Sequence, residues 1–256
     1  MVRTPEVHMQ ELAPDAASIL GTEVSILASY NDALDLICRR IRSGTQTFCV
    51  AVNPEKIYRA TRSVELQKSL RSAHVRICDG IGISLASMLL YGRRIPRCTG
   101  IDLFLKLVHL AAREGMKIFV LGASGEINEA ACRSLVEAHP GLRIVGRQHG
   151  YFMDSARVVN DINESGADLL FVAMGSPRQE FWISENLPKL SVKFCMGIGG
   201  SLDVVSGTTA RAPALFRRMG AEWVYRLLTQ PSRLRRQAVL PVFAVDVLRA
   251  MAHKLR

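Results

Sequence analysis

VRICDGIGISLASMLLYG, Val75 to Gly92, joins two kinds of pattern across a single turn. Val75–Cys78 is a short β-branched apolar run, whereas Ile83–Tyr91 carries the apolar residues of a helix. Asp79 and Gly80 stand at the junction, and a second glycine follows at Gly82. Asp-Gly is ordinary turn chemistry, so the local sequence leaves Asp79 open as a turn residue or a reacting group.

The same strand–turn–helix unit recurs outward from this stretch. Strands are predicted at 47–52, 75–79, 117–122, 142–146, 168–175 and 192–199. Helices are predicted over Pro54–Leu70, Ile83–Tyr91, Ile101–Glu114, Glu126–Ala138, Ala156–Glu164 and Arg178–Asn186. The strands are nearly continuous apolar runs, as expected where helices cover both faces of a sheet. The order therefore predicts an α/β, Rossmann-like, mostly parallel sheet flanked by helices. Right-handed crossovers then gather the strand-to-helix turns along one edge, where open α/β sheets bind ligands.

Charge divides the chain unevenly. Residues 211–256 hold ten Lys/Arg against Glu222 and Asp246, a net +8, while the preceding 210 residues carry only +2. The expected organisation is an α/β core over 1–207 and an arginine-rich helical C-terminal appendage over 208–256. Such a cationic segment seeks phosphates on a ligand, a nucleic acid or an anionic membrane. AVLPVFAVDVLRAMAHKLR at its end is apolar enough to lie on a membrane, while Pro241 and Asp246 argue against spanning. No secretory signal and no run of about 20 apolar residues is present, so the chain is expected to stay cytoplasmic. The six cysteines form no C-x-x-C pair and sit mostly in apolar runs, which reads as reduced, buried thiols. Neither they nor the histidines show metal-ligand spacing.

Four predicted strand ends carry polar or glycine-rich turns: Asn53, Asp79, the stretch Gly175 to Gln179 and Glu180, and the glycines before Asp203. Each alone reads as a turn; four on one edge point to a site, since glycines and helix N-termini present N–H groups to an anion. Standard nucleotide fingerprints fail. GIGGSLDVVSG has Leu202 where a dinucleotide loop needs its third glycine, and no P-loop exists. LGASGE (121–126) reads equally as a phosphate turn or a helix cap.

Six stretches resemble the WecG/TagA/CpsF glycosyltransferases, glycosyltransferase family 26. They are NPEKIYRA, CDGIGISLASMLLYGRRIPRCTGIDL, VLGASGE, HPGLRIVGRQHGYF, FVAMGSPRQEFWI and GIGGSLDVVSGTTARAPALFRRMGAEWVYRLLTQPSRLRR. Together they span roughly residues 45 to 237 in the expected order. The resemblance implies an inverting hexosyltransferase that moves a sugar from a UDP-sugar to a lipid-diphosphate-linked saccharide, with no cofactor or metal. It implies work at the cytoplasmic face of the plasma membrane, in cell-surface or exopolysaccharide synthesis.

Asp79 falls on the family's proposed general base, and Gln179 on a substrate-positioning glutamine of the G-x-P-[KR]-Q-E signature. Asn53 and Arg97 match pocket residues. Arg226, Arg233 and Arg236 match arginines expected to fold over the site and hold the UDP diphosphate. Guanidinium forks suit that task where no metal neutralises the leaving group. Asp203 and Glu222 are expected in a turn contact and a pair with a tail arginine. Cys78 replaces the family's usual proline, and Ala51 stands where some members carry threonine. The resemblance also allows for a homo-oligomer whose contacts cover the site until the membrane is reached.

Two other readings compete. A non-enzymatic nucleic-acid binder would use the basic tail, but no nucleic-acid motif or aromatic stacking platform appears. A dinucleotide-dependent oxidoreductase meets the broken glycine fingerprint.

Overall fold

The computed structural model describes residues 13–229 and 234–254. Among these, six strands form one parallel sheet: β3 (Thr47–Val52), β4 (Val75–Cys78), β5 (Lys117–Gly122), β6 (Arg143–Gln148), β7 (Leu169–Ala173) and β8 (Phe194–Gly197). Their spatial order is β4-β3-β8-β7-β5-β6. Every neighbouring pair is parallel, with Val52 opposite Cys78 and Cys49 opposite Met196. The predicted sheet is therefore formed strand for strand.

Alternate residues feed the two faces. Phe48, Val50 and Val52 of β3 join one core, together with Leu170 and Val172 of β7. Cys49 and Ala51 join the other, together with Phe171 and Ala173. The first core is covered by α2 (Pro54–Ala60), α3 (Val64–Arg71), α4 (Ile81–Tyr91), α7 (Ser155–Glu164) and α8 (Arg178–Asn186). The second is covered by α1 (Tyr30–Arg42), α5 (Gly100–Glu114) and α6 (Gly125–Ala138). Burial on both sides is why the strands read as unbroken apolar runs.

The predicted helix Pro54–Leu70 is two helices. Ser63 accepts a hydrogen bond from the Leu66 amide at 3.1 Å and so starts α3 afresh. A serine at the N-cap satisfies a free N–H, which here wins over continuing the first helix.

Two elements lie outside the sequence expectations. A hairpin of β1 (Ala16–Ile19) and β2 (Thr22–Ser25) turns at Leu20-Gly21, both with positive φ (48° and 79°). That is the two-residue turn that suits hairpin twist. Ser25 Oγ accepts from the Arg76 amide at 3.0 Å, and Arg76 pairs with Glu23 at 2.6 Å, so the hairpin lies beside edge strand β4. Helix α1 follows, its start marked by a Ser29–Asp32 capping pair: the Asp32 amide donates to Ser29 Oγ, and Asp32 Oδ2 accepts from the Ala28 amide.

Beyond β8 the described chain forms α9 (Ser201–Val205), α10 (Ala214–Arg218), α11 (Glu222–Thr229), α12 (Leu234–Gln237) and α13 (Val239–Lys254). Helix α13 returns to the body: Phe243 and Val247 are buried in the same core as Ile57 and Ala60 of α2 and Ile83 and Ala86 of α4.

Candidate active site

The carboxyl ends of β4, β3, β8 and β7 place Asp79, Asn53, Gly199 and Gln179 on one rim of the sheet. Asp79 ends β4, its amide donating to the Val52 carbonyl at 2.8 Å. Gly80 then takes φ 106°, a conformation open to glycine, and starts α4 with no side-chain cap. Gly82 lies so close to α2 that a Cβ would stand 2.6 Å from Pro54 Cγ. The two glycines thus let the β4–α4 turn pass tightly beside the β3–α2 turn.

Asn53 caps α2, its Oδ1 accepting from the Lys56 amide at 2.8 Å. Lys56 is buried, and its ammonium donates to the Ala51 carbonyl at 2.7 Å and to Glu180 Oε1 at 2.8 Å. Gln179 Nε2 donates to the same Glu180 oxygen at 2.9 Å, while Gln179 Oε1 accepts from the Gly199 amide at 3.0 Å. Gly197 makes room for that amide, since a Cβ there would lie 2.5 Å from Gln179 Nε2.

Three consecutive side chains of the GSPRQE stretch therefore tie three strand-end loops together. Arg178 donates to the Gly150 carbonyl at 2.7 Å, beyond β6; Gln179 holds the loop after β8; Glu180 holds Lys56, beyond β3. Neither Lys56 nor Glu180 was assigned a role from sequence. The signal was an acid and a lysine in two motif stretches far apart in the chain, which only the fold brings together.

Charge around Asp79 is mixed. Burial pushes its carboxyl above the ordinary carboxylate range. The Lys56 ammonium and the Arg226 guanidinium pull it back, Glu222 adds to the rise, and the Gly100 amide at the start of α5 favours the ionised form. Arg226 is bound to Glu222 at 2.8 Å along α11. For Glu180 burial again pushes upward, but Lys56 and the hydrogen bonds to it win, so its carboxyl lies below its ordinary value.

Arg97 donates to the Arg217 carbonyl and so fastens α10 beside the β4–α4 turn. Next to it, Thr99 Oγ1 donates to Asp102 at 2.7 Å, and Asp102 also receives Tyr30 and Arg211. Arg233 lies outside the described residues; Arg236 falls in α12, and its side chain is not among those described. The site thus brings together Asp79, Asn53, Gln179 and Arg226, with Arg97 at its border.

Residues 17–256 match the glycosyl transferase WecG/TagA/CpsF family. The chain belongs to this family. An N-acetylglucosaminyldiphosphoundecaprenol N-acetyl-β-D-mannosaminyltransferase of Bacillus spizizenii is 36% identical over 202 residues, 79% of each chain. Proteins of the same name from Staphylococcus aureus and Bacillus subtilis are 34% and 32% identical, over 82% and 79% of each chain.

Within this WecG/TagA/CpsF member, the Cys78 departure has a local account. Cys78 is buried at the end of β4, with its Sγ near the Gly80 carbonyl (3.9 Å) and the Ile95 carbonyl (4.0 Å). Burial, with the adjacent Asp79 charge, pushes the thiol up to about 12, so it packs as a small apolar group. Ala51 lies against Gly100, whose added Cβ would stand 3.0 Å away, so the α5 N-terminus approaches β3 closely. Ser124 of LGASGE caps α6, its Oγ accepting from the Ile127 amide at 3.3 Å. Among the described residues, all six thiols are free, no three metal-ligating side chains cluster, and no helix is long and apolar enough to cross a membrane.

Proposed function

We propose that the protein transfers a sugar from a UDP-sugar to a saccharide carried on a polyprenyl diphosphate, with inversion at the anomeric carbon. The observation that carries this reading is the placement of Asp79 at the carboxyl edge of the sheet beside Asn53, with Arg226 and the α5 N-terminus close by and burial raising its proton affinity. Asp79 takes the proton of the acceptor hydroxyl as that oxygen attacks the anomeric carbon. The bond from that carbon to the diphosphate oxygen breaks, and UDP leaves with the electron pair. A base of raised affinity suits the work, because general-base efficiency improves as its pKa approaches the working pH. The leaving diphosphate is met by Arg226, joined by Arg233 and Arg236. Asn53 binds and orients the sugars; Gln179, buried with its amide held between Glu180 and Gly199, positions the loop after β8 beside them, and Arg97 braces α10.

The names of the relatives make UDP-N-acetylmannosamine the first donor to test, against an N-acetylglucosamine acceptor on a short-chain lipid diphosphate. The protein works at the membrane face that holds this acceptor, its 208–256 segment contributing to both diphosphate and bilayer contact. Asp79→Asn should lower turnover by about 10²–10⁴-fold while UDP binding by calorimetry stays within about two-fold. Near-normal turnover in that variant would remove Asp79 as the base.

A further inference from the structure

Helix α4 starts two residues after Asp79, buries Ser84 and Ser87 beside its inward apolar residues, and still carries apolar residues on its outer side. It buries Ile83 and Ala86 against the sheet. Leu85, Met88 and Leu89 nevertheless keep 53%, 51% and 48% of their surface exposed. Their i, i+3, i+4 spacing places them in one stripe. The outer face of a helix packed on a soluble domain is normally polar, so an apolar stripe there marks a contact surface.

The segment that follows the helix is cationic. Between Gly80 and Ile101 the sequence has Arg93, Arg94 and Arg97 and no carboxylate. Arg93 and Arg94 are exposed just beyond the helix end, Arg94 Nε also donating to Ser84 Oγ at 3.0 Å. Helix α13 extends the surface: Lys254 donates to the Leu90 carbonyl at 3.1 Å and sits 3.9 Å above the Tyr91 ring. Val242, Val245 and Leu248 of α13 are themselves exposed.

We propose that the α4 stripe Leu85, Met88 and Leu89, with Arg93 and Arg94 at its end, seats the protein on an anionic bilayer and delivers the lipid-linked acceptor to Asp79. This rests on the lipid-linked acceptor proposed above. Apolar side chains entering the headgroup boundary with flanking arginines on anionic lipid are the two contributions an interfacial helix uses. A second copy is a poorer occupant, because a two-fold contact would set the same acid-free cationic stretch against itself.

The position fits the chemistry. Leu85 and Leu89 lie four and eight residues beyond Ile81, about 6 and 12 Å along the axis at 1.5 Å per residue. A polyprenyl chain resists withdrawal from the bilayer because each methylene drawn out returns apolar surface to water. The catalytic carboxylate must therefore come down to the headgroups, and an apolar helix that starts beside it brings it there.

The test uses the full chain carrying Leu85→Gln, Met88→Gln and Leu89→Gln together. Glutamine keeps helix propensity and adds no charge to repel anionic lipid. Vesicles of equimolar phosphatidylglycerol and phosphatidylcholine, and of phosphatidylcholine alone, are followed by co-sedimentation. The wild type should prefer the anionic vesicles. The variant should bind them at least ten-fold more weakly and melt within about 3 °C of the wild type. Its turnover on a water-soluble short-chain acceptor should stay within two-fold, while KM for a vesicle-embedded long-chain acceptor rises at least five-fold.

Vesicle affinity reduced less than five-fold would overturn the α4 assignment and leave the membrane reading intact. A wild-type oligomer that the substitutions convert to monomer, with vesicle affinity unchanged, would assign the stripe to a second copy instead. Absence of wild-type binding to either vesicle would fail the membrane reading beneath the proposal. If the triple variant melts early, Arg93→Gln with Arg94→Gln tests the same seat, and must then cut anionic-vesicle binding at least five-fold.

Discussion

Asp79 concentrates the competition between folding and chemistry. Its carboxyl binds a proton more tightly in the folded chain than in the unfolded one. The stabilising contribution is therefore fully present below the unfolded carboxylate pKa and lost as pH rises through the folded value. Asp79→Asn should raise the melting temperature more at pH 8 than at pH 4, read by circular dichroism, while removing turnover. Arg226 pulls in the opposite direction, toward the ionised form. Arg226→Ala should accordingly move the acidic limb of the kcat/KM profile to higher pH, beyond lowering the rate; an unmoved limb would place Arg226 out of electrostatic reach. Lys56 and Glu180 show a second balance. Glu180 titrates low, so their pairing contributes above the unfolded carboxylate range and fades as pH falls through the folded value. Removing one partner strands a buried charge, so Lys56→Met should cost about 3–5 kcal/mol by urea denaturation near pH 7. Lys56→Met with Glu180→Leu should recover much of that loss.

At the scale of elements, the site is a set of strand ends held in register by side chains that cross between loops. The GSPRQE turn ties the loops after β6, β8 and β3, and Gly197 leaves the space in which Gln179 lies. Gly197→Ala should push Gln179 out of place, costing about 1–3 kcal/mol as overpacking does. Turnover should fall along with the melting temperature; a full-rate, wild-type-stable variant would mean that the loops adjust freely. The six strands and the polar turns after β3, β4, β7 and β8 were legible as sequence patterns, whereas the pattern over Pro54–Leu70 ran on as one helix where Ser63 starts a second. The β1–β2 hairpin was not read, because eight paired residues give too short an alternation to stand out, although Leu20-Gly21 carried its turn. Helix α1 was not read either, although Ser29 and Asp32 mark its start and Ala33, Leu36, Ile37 and Ile41 recur at helical spacing.

For the whole molecule, the question is how the segment after Gly207 relates to the sheet. Phe243 and Val247 of α13 are buried against α2 and α4, the helices that follow Asn53 and Asp79. Ending the chain at Gly207 removes that cover together with Arg226. Such a protein should lose at least about a hundred-fold in turnover on a soluble acceptor, measured by UDP release, and bind anionic vesicles more weakly. Full activity on the soluble acceptor would show that the segment has no part in catalysis.

The sequence by itself determined the parallel α/β sheet, the polar strand ends and the segregated positive charge, because these follow from local periodicity, turn residues and composition. Asp79 stood out there through the company of three other strand ends and a motif match. Only the tertiary structure decided that Lys56 meets Glu180, since 124 residues separate them and burial of both charges depends on β3 and β7 ending on the same rim. It decided likewise that the apolar residues of α4 divide between the core and an exposed stripe. Hydrophobicity along the chain records how much a residue gains from leaving water, and packing settles which residues leave it for the protein interior.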